Sequence, residues 1–408
     1  MRKLIATLSL LALVGTGRAE TIDPTLFTHR APVTFPTYNL ESTLENFPVL
    51  VRLTSAEGKF TYDEASIDGS DVRFALEDGT LLPSEVSLWN PEGESLVWVS
   101  VPALNGNAKI MLYWGGEHEF PSSQTDGTVW SAAGYFGVWH MDEAAGAEKA
   151  KDSAGGAMEG THVGTSPGQD GFVGRSVRIS NGGWNVGDGK GITTAAFSNI
   201  GDKFMFSLWT KYPNQNPGTD RLGSTKIDWT ATSGWEISTQ RYNQQKIDFR
   251  GSGQTNPEPG VSLKNTDWQY LTFLFNGAEG SVYINNSWKA GGKIDAVTDS
   301  DYVFTIGNMS NLSADSFKGW LDEVRLYKGE PTRDWISAEY HSVQDTGFTV
   351  VGDAEILETE APVLGELTLV SAELHAASLG WELRSAGSSA TEVSLAYGIE
   401  EGIYTIKL

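Results

Sequence analysis

Short runs of alternating apolar and polar residues, each bounded by Gly, Asp, Asn or Pro, recur along the whole chain. Residues 49–53, 71–76, 96–101 and 109–114 are four of them. A period of two sends successive side chains to opposite faces of a strand. Many such runs separated by turn residues predict sandwiches or barrels. One segment breaks the pattern: after Pro331, residues 332–343 place Trp335, Ile336, Ala338 and Tyr340 at helical spacing. Polar stretches at 117–128, with Pro121 and Gly127, and at 355–362, where acidic residues run into Ala361 and Pro362, divide the chain. The pattern predicts an all-β chain of tandem β-sandwiches over 22–116 and 134–351, a partial module over 363–408, and one short helix closing the central sandwich.

The first module carries Phe47 to Leu53, Gly69 to Phe74, Leu82 to Val86, Trp89-Asn90, Val97 to Val99 and Leu112 to Gly116 in order. In these it resembles a domain of unknown function, DUF2341, found in bacterial surface proteins and fused to some proton channels. Alternation puts Val72, Phe74 and Leu76 on one strand face and Asp71 and Arg73 on the other, which predicts a structural ion pair near Glu85.

The second module opens on Gly137-Val138-Trp139-His140-Met141-Asp142-Glu143, followed by Asp152 to Gly155. It continues through Phe206 to Trp209, Trp268 to Phe273, Val282 to Asn285 and Thr305 to Gly307, and ends on Phe317 to Tyr327. It resembles a laminin-G-like, concanavalin A-like jelly-roll. The family's Asp-Gly turn after the Tyr-Ile strand is here Asn285-Asn286, still a good turn former. Residues 363–408 resemble the start of a fibronectin-III-like module, with too few strands for a whole sandwich of about 100 residues.

The first 19 residues read as a secretory leader: Arg2 and Lys3, an apolar run over 4–14, and small residues up to Ala19. That run is shorter than the roughly 20 residues of a spanning helix. The expectation is therefore a secreted, periplasmic or surface-exposed protein that does not span the membrane after cleavage. There is no Cys for a disulfide framework. The net charge is −23, and −26 once Arg2, Lys3 and Arg18 leave with the leader, which repels phosphate backbones and argues against a nucleic-acid partner.

The chemistry legible in the sequence is sparse. No Glu is followed two positions later by Asp, so the strand-spaced carboxylates of laminarinase-like jelly-rolls are missing. Gly164 to Gly168 matches a nucleophile elbow in form, but Pro167 lacks the N–H that an oxyanion hole needs, and the segment reads as a surface turn. No second His follows His118-Glu119 at zinc-protease spacing, so no zinc site is predicted.

Related jelly-rolls hold a structural Ca²⁺ where first and last strands meet, and the resemblance implies Asp142, Asp152 and Asp322 as its ligands. Alternation places Asp322 on the buried face with Trp320, Val324 and Leu326, where a backbone N–H or an Arg could equally satisfy it. By the same alternation Glu323 and Arg325 form a surface pair. Among 14 Trp, Trp139, Trp209, Trp268 and Trp320 fall in strand patterns and read as core. Trp184, Trp229, Trp235 and Trp288 lie beside turn residues and are the candidate sugar-stacking positions. The expected function is non-catalytic adhesion to a polysaccharide, a cell-surface glycan or a surface protein. A purely structural envelope protein and a glycoside hydrolase with cross-strand carboxylates remain the alternatives.

Overall fold

A computed structural model describes residues 20–357 apart from 117–126, 181–188, 197–199, 214–219, 229, 241–245, 253–265 and 313–315, and beyond 357 only the backbone of short strands. In the first module these elements are β1 (His29–Thr34), β2 (Leu44–Leu53), β3 (Arg73–Ala75), β4 (Leu81–Leu82), β5 (Ser84–Leu88), β6 (Ser95–Leu104) and β7 (Lys109–Trp114). A one-turn helix α1 (Thr128–Ser131) leads into the second. Gly127 begins it at φ +77°, and a Cβ there would lie 2.5 Å from the backbone N of Gly155, so the crossing between modules admits only glycine.

The jelly-roll runs through β8 (Tyr135–Trp139), β9 (Lys149–Ala150), β10 (Gly160–Val163), β11 (Ser166–Asp170), β12 (Arg175–Ile179), β13 (Gly191–Ala196) and β14 (Phe204–Lys211). It continues with β15 (Asp220–Ser224), β16 (Glu236–Gln240), β17 (Lys246–Arg250), β18 (Gln269–Phe275), β19 (Glu279–Ile284), β20 (Ser287–Lys293), β21 (Val303–Ile306) and β22 (Gly319–Lys328). Helix α2 (Arg333–Gln344), β23 (Val350–Val351) and β24 (Glu355–Ile356) complete the order. Thr332 caps α2 by accepting the Trp335 N–H at 3.1 Å, which is why the helix starts where the sequence predicts.

The first module is a sandwich of the sheets β23-β1-β7-β3-β4, with β24 beside β1, and β2-β6-β5. The second pairs a seven-stranded sheet, β17-β16-β15-β21-β13-β10-β9, with an eight-stranded one, β11-β12-β22-β14-β18-β19-β20, in which β8 also pairs β22. All pairings among the described residues are antiparallel. The β19–β20 turn places Asn285 at φ 49° and Asn286 at φ 62°, the left-handed pair that a two-residue hairpin demands and Asn tolerates. Residues 363–407 contribute three short antiparallel strand pairs.

Strands β2 and β6 are buried along nearly their whole length instead of alternating. One face fills the first sandwich and the other is covered by the second module and α2, so both faces select apolar residues. Phe47 of β2 meets Trp335 of α2 edge-on at 4.8 Å, and a single apolar cluster runs from Val49 and Val99 through Trp98 and Trp130 to Tyr135 and Trp209. The jelly-roll keeps a separate core between its own sheets, built on Phe204, Phe206, Trp235, Phe273, Phe304 and Leu326.

Candidate functional site at the module junction

Strand β22 decides what lies at the junction. Opposite β14, Ser207 pairs with Arg325 and Trp209 with Asp322, so two residues of β22, Glu323 and Val324, face the single Leu208. This is a β-bulge, and Glu323 sits in it at φ 46°. The extra residue shifts the alternation: Leu321, Val324 and Leu326 enter the jelly-roll core, and Asp322 and Arg325 fall on the outer face. The first module covers that face, so Asp322, Glu323 and Arg325 are all at most 1% exposed. The expectation that Asp322 shares a face with Val324 and Leu326, and that Glu323 and Arg325 form a surface pair, is thereby corrected. The cause is the bulge together with a second buried face.

Arg325 lies over the rings of Trp98 and Trp130, 4.6 and 5.1 Å from their centroids. It donates from Nη2 to Glu323 Oε2 at 2.6 Å and lies 3.5 Å from Glu339 Oε1. Glu339 in turn accepts from Tyr135 at 2.9 Å, from Ser207 at 2.6 Å and from the Tyr270 hydroxyl. The paired negative charges outweigh burial and hold the guanidinium firmly protonated.

Glu85 of β5 is the first module's contribution. Its Oε2 accepts the Trp130 indole N–H at 2.8 Å, and its Oε1 accepts the Ser153 hydroxyl at 2.7 Å and the Lys151 ammonium. His140 Nε2 lies 3.7 Å from Oε2, and His140 Nδ1 lies 2.8 Å from Glu323 Oε1. Burial pushes Glu85 up, but His140 and Lys151 outweigh it and hold the carboxyl at about 2. Burial likewise pushes His140 down, and Glu323 and Glu85 outweigh it and raise the imidazole to about 10. Asp142 is lifted to about 7, by burial first and with Glu323 adding to it against the opposing charge of His140. Asp322 is pushed well above the carboxylate range by burial and by Glu323. A pocket of about 190 Å³ opens onto this cluster, lined by Glu85, His140, Asp142, Glu143, Lys151 and Ser153.

The aspartates expected to bind Ca²⁺ are occupied with backbone. Asp152 accepts the N–H groups of Val138, Ala154 and Met158 at 2.9–3.1 Å. Asp322 accepts those of Phe172 and Val173 at 2.8 and 3.0 Å, and Asp142 accepts that of Arg175 at 3.2 Å. The set of His, Asp and Glu whose ligand atoms lie mutually within 4.8 Å, among the described residues, is instead His140, Asp142 and Glu323. His140 and Glu323 were missed because one is masked by apolar neighbours in a strand and the other was assigned to the surface.

Of the candidate sugar platforms, Trp184 and Trp229 lie outside the described residues. Trp235 is 1% exposed and packs on Phe204 and Phe304, so its place beside Gly234 does not bring it to the surface. Trp288 is 59% exposed and pairs across the hairpin with Tyr283, whose ring carries the Arg333 guanidinium at 5.2 Å. Trp139 and Trp209 are core as expected, while Trp268 and Trp320 are half-buried. Asp71 and Arg73 attract one another, as expected, but each also holds backbone. Asp71 accepts the N–H groups of Ser66, Gly115 and Gly116, Arg73 donates to the carbonyls of Ser70 and Val72, and Glu85 turns to the second module. Ser166 of the Gly-x-Ser-x-Gly segment begins an edge strand paired with β12.

Residues 68–152 match the family model of a domain of unknown function, DUF2341, and residues 186–337 match that of the concanavalin A-like lectin/glucanases superfamily. The chain carries a DUF2341 domain followed by a concanavalin A-like domain. The DUF2341 match runs past β7 into β8 and β9 of the jelly-roll, so it includes Glu85 and its partners Trp130, His140 and Lys151. No curated protein sequence matches the chain. Among solved structures, domain 4 of AbnA, a GH43 extracellular arabinanase from Geobacillus stearothermophilus, is 21% identical over 52% of this chain and 98% of its own, with a TM-score of 0.38. The botulinum neurotoxin serotype D binding domain is 15% identical over 51% of this chain and 50% of its own, with a TM-score of 0.38. Trypanosoma rangeli sialidase is 13% identical over 63% and 42%, with a TM-score of 0.41. The chain thus spans about half the length of the neurotoxin domain and less of the sialidase, and no functional conclusion follows from likenesses this distant.

Proposed function

We propose that this is an exported, non-catalytic glycan-binding protein whose concanavalin A-like domain presents the ligand surface and whose DUF2341 domain holds that surface in a fixed orientation. The observation that carries the reading is Trp288, an indole 59% exposed on the β19–β20 hairpin, with Tyr283 opposite it and Arg333 beside that ring. An exposed indole face stacks on the apolar face of a sugar ring, and an adjacent guanidinium supplies hydrogen bonds to hydroxyls. The family description, lectin/glucanases, supports the same ligand class. The leader-like start supports export.

Two of the carboxylates at the junction, Glu85 and Glu339, each accept three hydrogen bonds, which favours a structural role for that pair. The test is a glycan array probed with the mature protein, followed by titration of the best ligand into Trp288→Ala. A loss of affinity of about tenfold, corresponding to about 1.4 kcal/mol, with an unchanged melting temperature is expected. Absence of any glycan binding, or equal affinity in Trp288→Ala, overturns the reading. Release of reducing sugar from the bound polysaccharide overturns the non-catalytic part.

A further inference from the structure

We propose that His140, Asp142 and Glu323 form a binding site for one divalent transition-metal ion of the Zn²⁺ type at the junction between the two domains. Their ligand atoms lie within 4.8 Å of one another. Metal–ligand bonds of about 2.0–2.2 Å put neighbouring ligands roughly 3–4 Å apart, so side-chain rotations that close about 1–2 Å complete the set. In the metal-free protein His140 Nδ1 and Glu323 Oε1 share a proton at 2.8 Å. The ion takes that proton's place, and the imidazole becomes a neutral ligand while the proton leaves to solvent.

Two further observations point to a ligand. The side chain of His140, a residue that lines the pocket, is 6% exposed, and its Nε2 has no hydrogen-bond partner. It faces Glu85 Oε2 at 3.7 Å, the arrangement in which a carboxylate orients the far ring nitrogen of a metal-bound histidine. Asp142 Oδ2 is likewise buried without a partner and lines the same pocket, which leaves room for a water to complete the coordination.

The donor set selects the ion. Ca²⁺ takes 6–8 oxygen ligands and has no use for an imidazole, whereas one nitrogen and two carboxylates in a four-coordinate space suit Zn²⁺ and its neighbours. Asp152, implied as a calcium ligand by family resemblance, holds three backbone N–H groups instead.

The experiment uses the full mature chain stripped with a chelator and titrated with Zn²⁺ alone by calorimetry, with the melting temperature followed in parallel and Co²⁺ used as an optical reporter of ligation. One Zn²⁺ per chain, a melting temperature that climbs with the logarithm of Zn²⁺ concentration, and Co²⁺ absorption abolished by Zn²⁺ are expected. Asp142→Asn should weaken binding at least tenfold while the metal-free protein melts where the wild type does. His140→Gln should remove binding. If that variant does not fold, Asp142→Asn and ion competition decide. No saturable Zn²⁺ binding, equal affinity in Asp142→Asn, or displacement of Zn²⁺ by equimolar Ca²⁺ each overturns the proposal.

Discussion

The indole N–H of Trp130 donates to Oε2 of Glu85 at 2.8 Å, across the boundary between a DUF2341 strand and the helix that leads into the jelly-roll. Both residues are buried, and the same carboxylate also holds Ser153 and Lys151. One side chain of the first domain is therefore satisfied wholly by the second. Two β-sandwiches joined this way do not behave as beads on a string.

Glu85→Ala should accordingly destabilise the whole protein by about 3–5 kcal/mol, the usual cost of removing one partner from a buried ionic network. The two domains of the wild type should unfold in one transition. Chemical denaturation followed by Trp fluorescence checks this. Two separate transitions in the wild type would show that the junction does not couple the domains.

Glu323→Ala should be as damaging as Asp322→Ala or more so. Glu323 binds both His140 at 2.8 Å and Arg325 at 2.6 Å, and its loss leaves Arg325 buried beside Glu339 with half its neutralising charge gone. A loss of about 3–5 kcal/mol is expected, against about 1–3 kcal/mol for Asp322→Ala, which frees two backbone N–H groups. Paired urea titrations measure the difference, and a Glu323→Ala variant as stable as the wild type would contradict the burial of this bulge.

The two turn-flanked Trp residues within the described chain should separate cleanly. Trp235→Ala removes a side chain packed among Phe204, Phe206 and Phe304 and should cost about 3–5 kcal/mol. Trp288→Ala, largely in solvent, should change stability by no more than about 0.5 kcal/mol. Thermal midpoints of the two variants read this directly.

Alkaline pH should unfold the protein cooperatively. Burial raises Tyr135, Tyr212 and Tyr270 well above the ordinary tyrosine value, with Glu339 adding to it for the first and third and Asp220 for the second. Because the folded state keeps protons that the unfolded state releases, their contribution is complete below about pH 10 and is lost as pH rises above it. Phenolate absorbance from these residues should appear together with the loss of near-ultraviolet circular dichroism. A gradual titration without unfolding would place these hydroxyls in water.

The sequence by itself determined the class and order of the elements. Alternating runs between turn residues specify strands, Pro331 and Thr332 specify where α2 begins, and Asn285-Asn286 specifies a hairpin whose left-handed φ values only a few residues tolerate. It also placed Trp288 beside a turn and left it free of any core pattern. What the tertiary structure alone decided is which faces are buried. Strict alternation gives one face to water, but β2, β6 and β22 are covered on both, so Trp98, Glu323 and Arg325 became interior. The bulge at Glu323 moved every later residue of β22 by one position, a shift that no linear pattern reveals because it depends on pairing with Leu208 of β14. The junction cluster shares that character. Glu85, His140, Glu323 and Glu339 stand far apart in the chain, and their charges acquire meaning only when packing of two sheets removes water and leaves each to find a partner among the others.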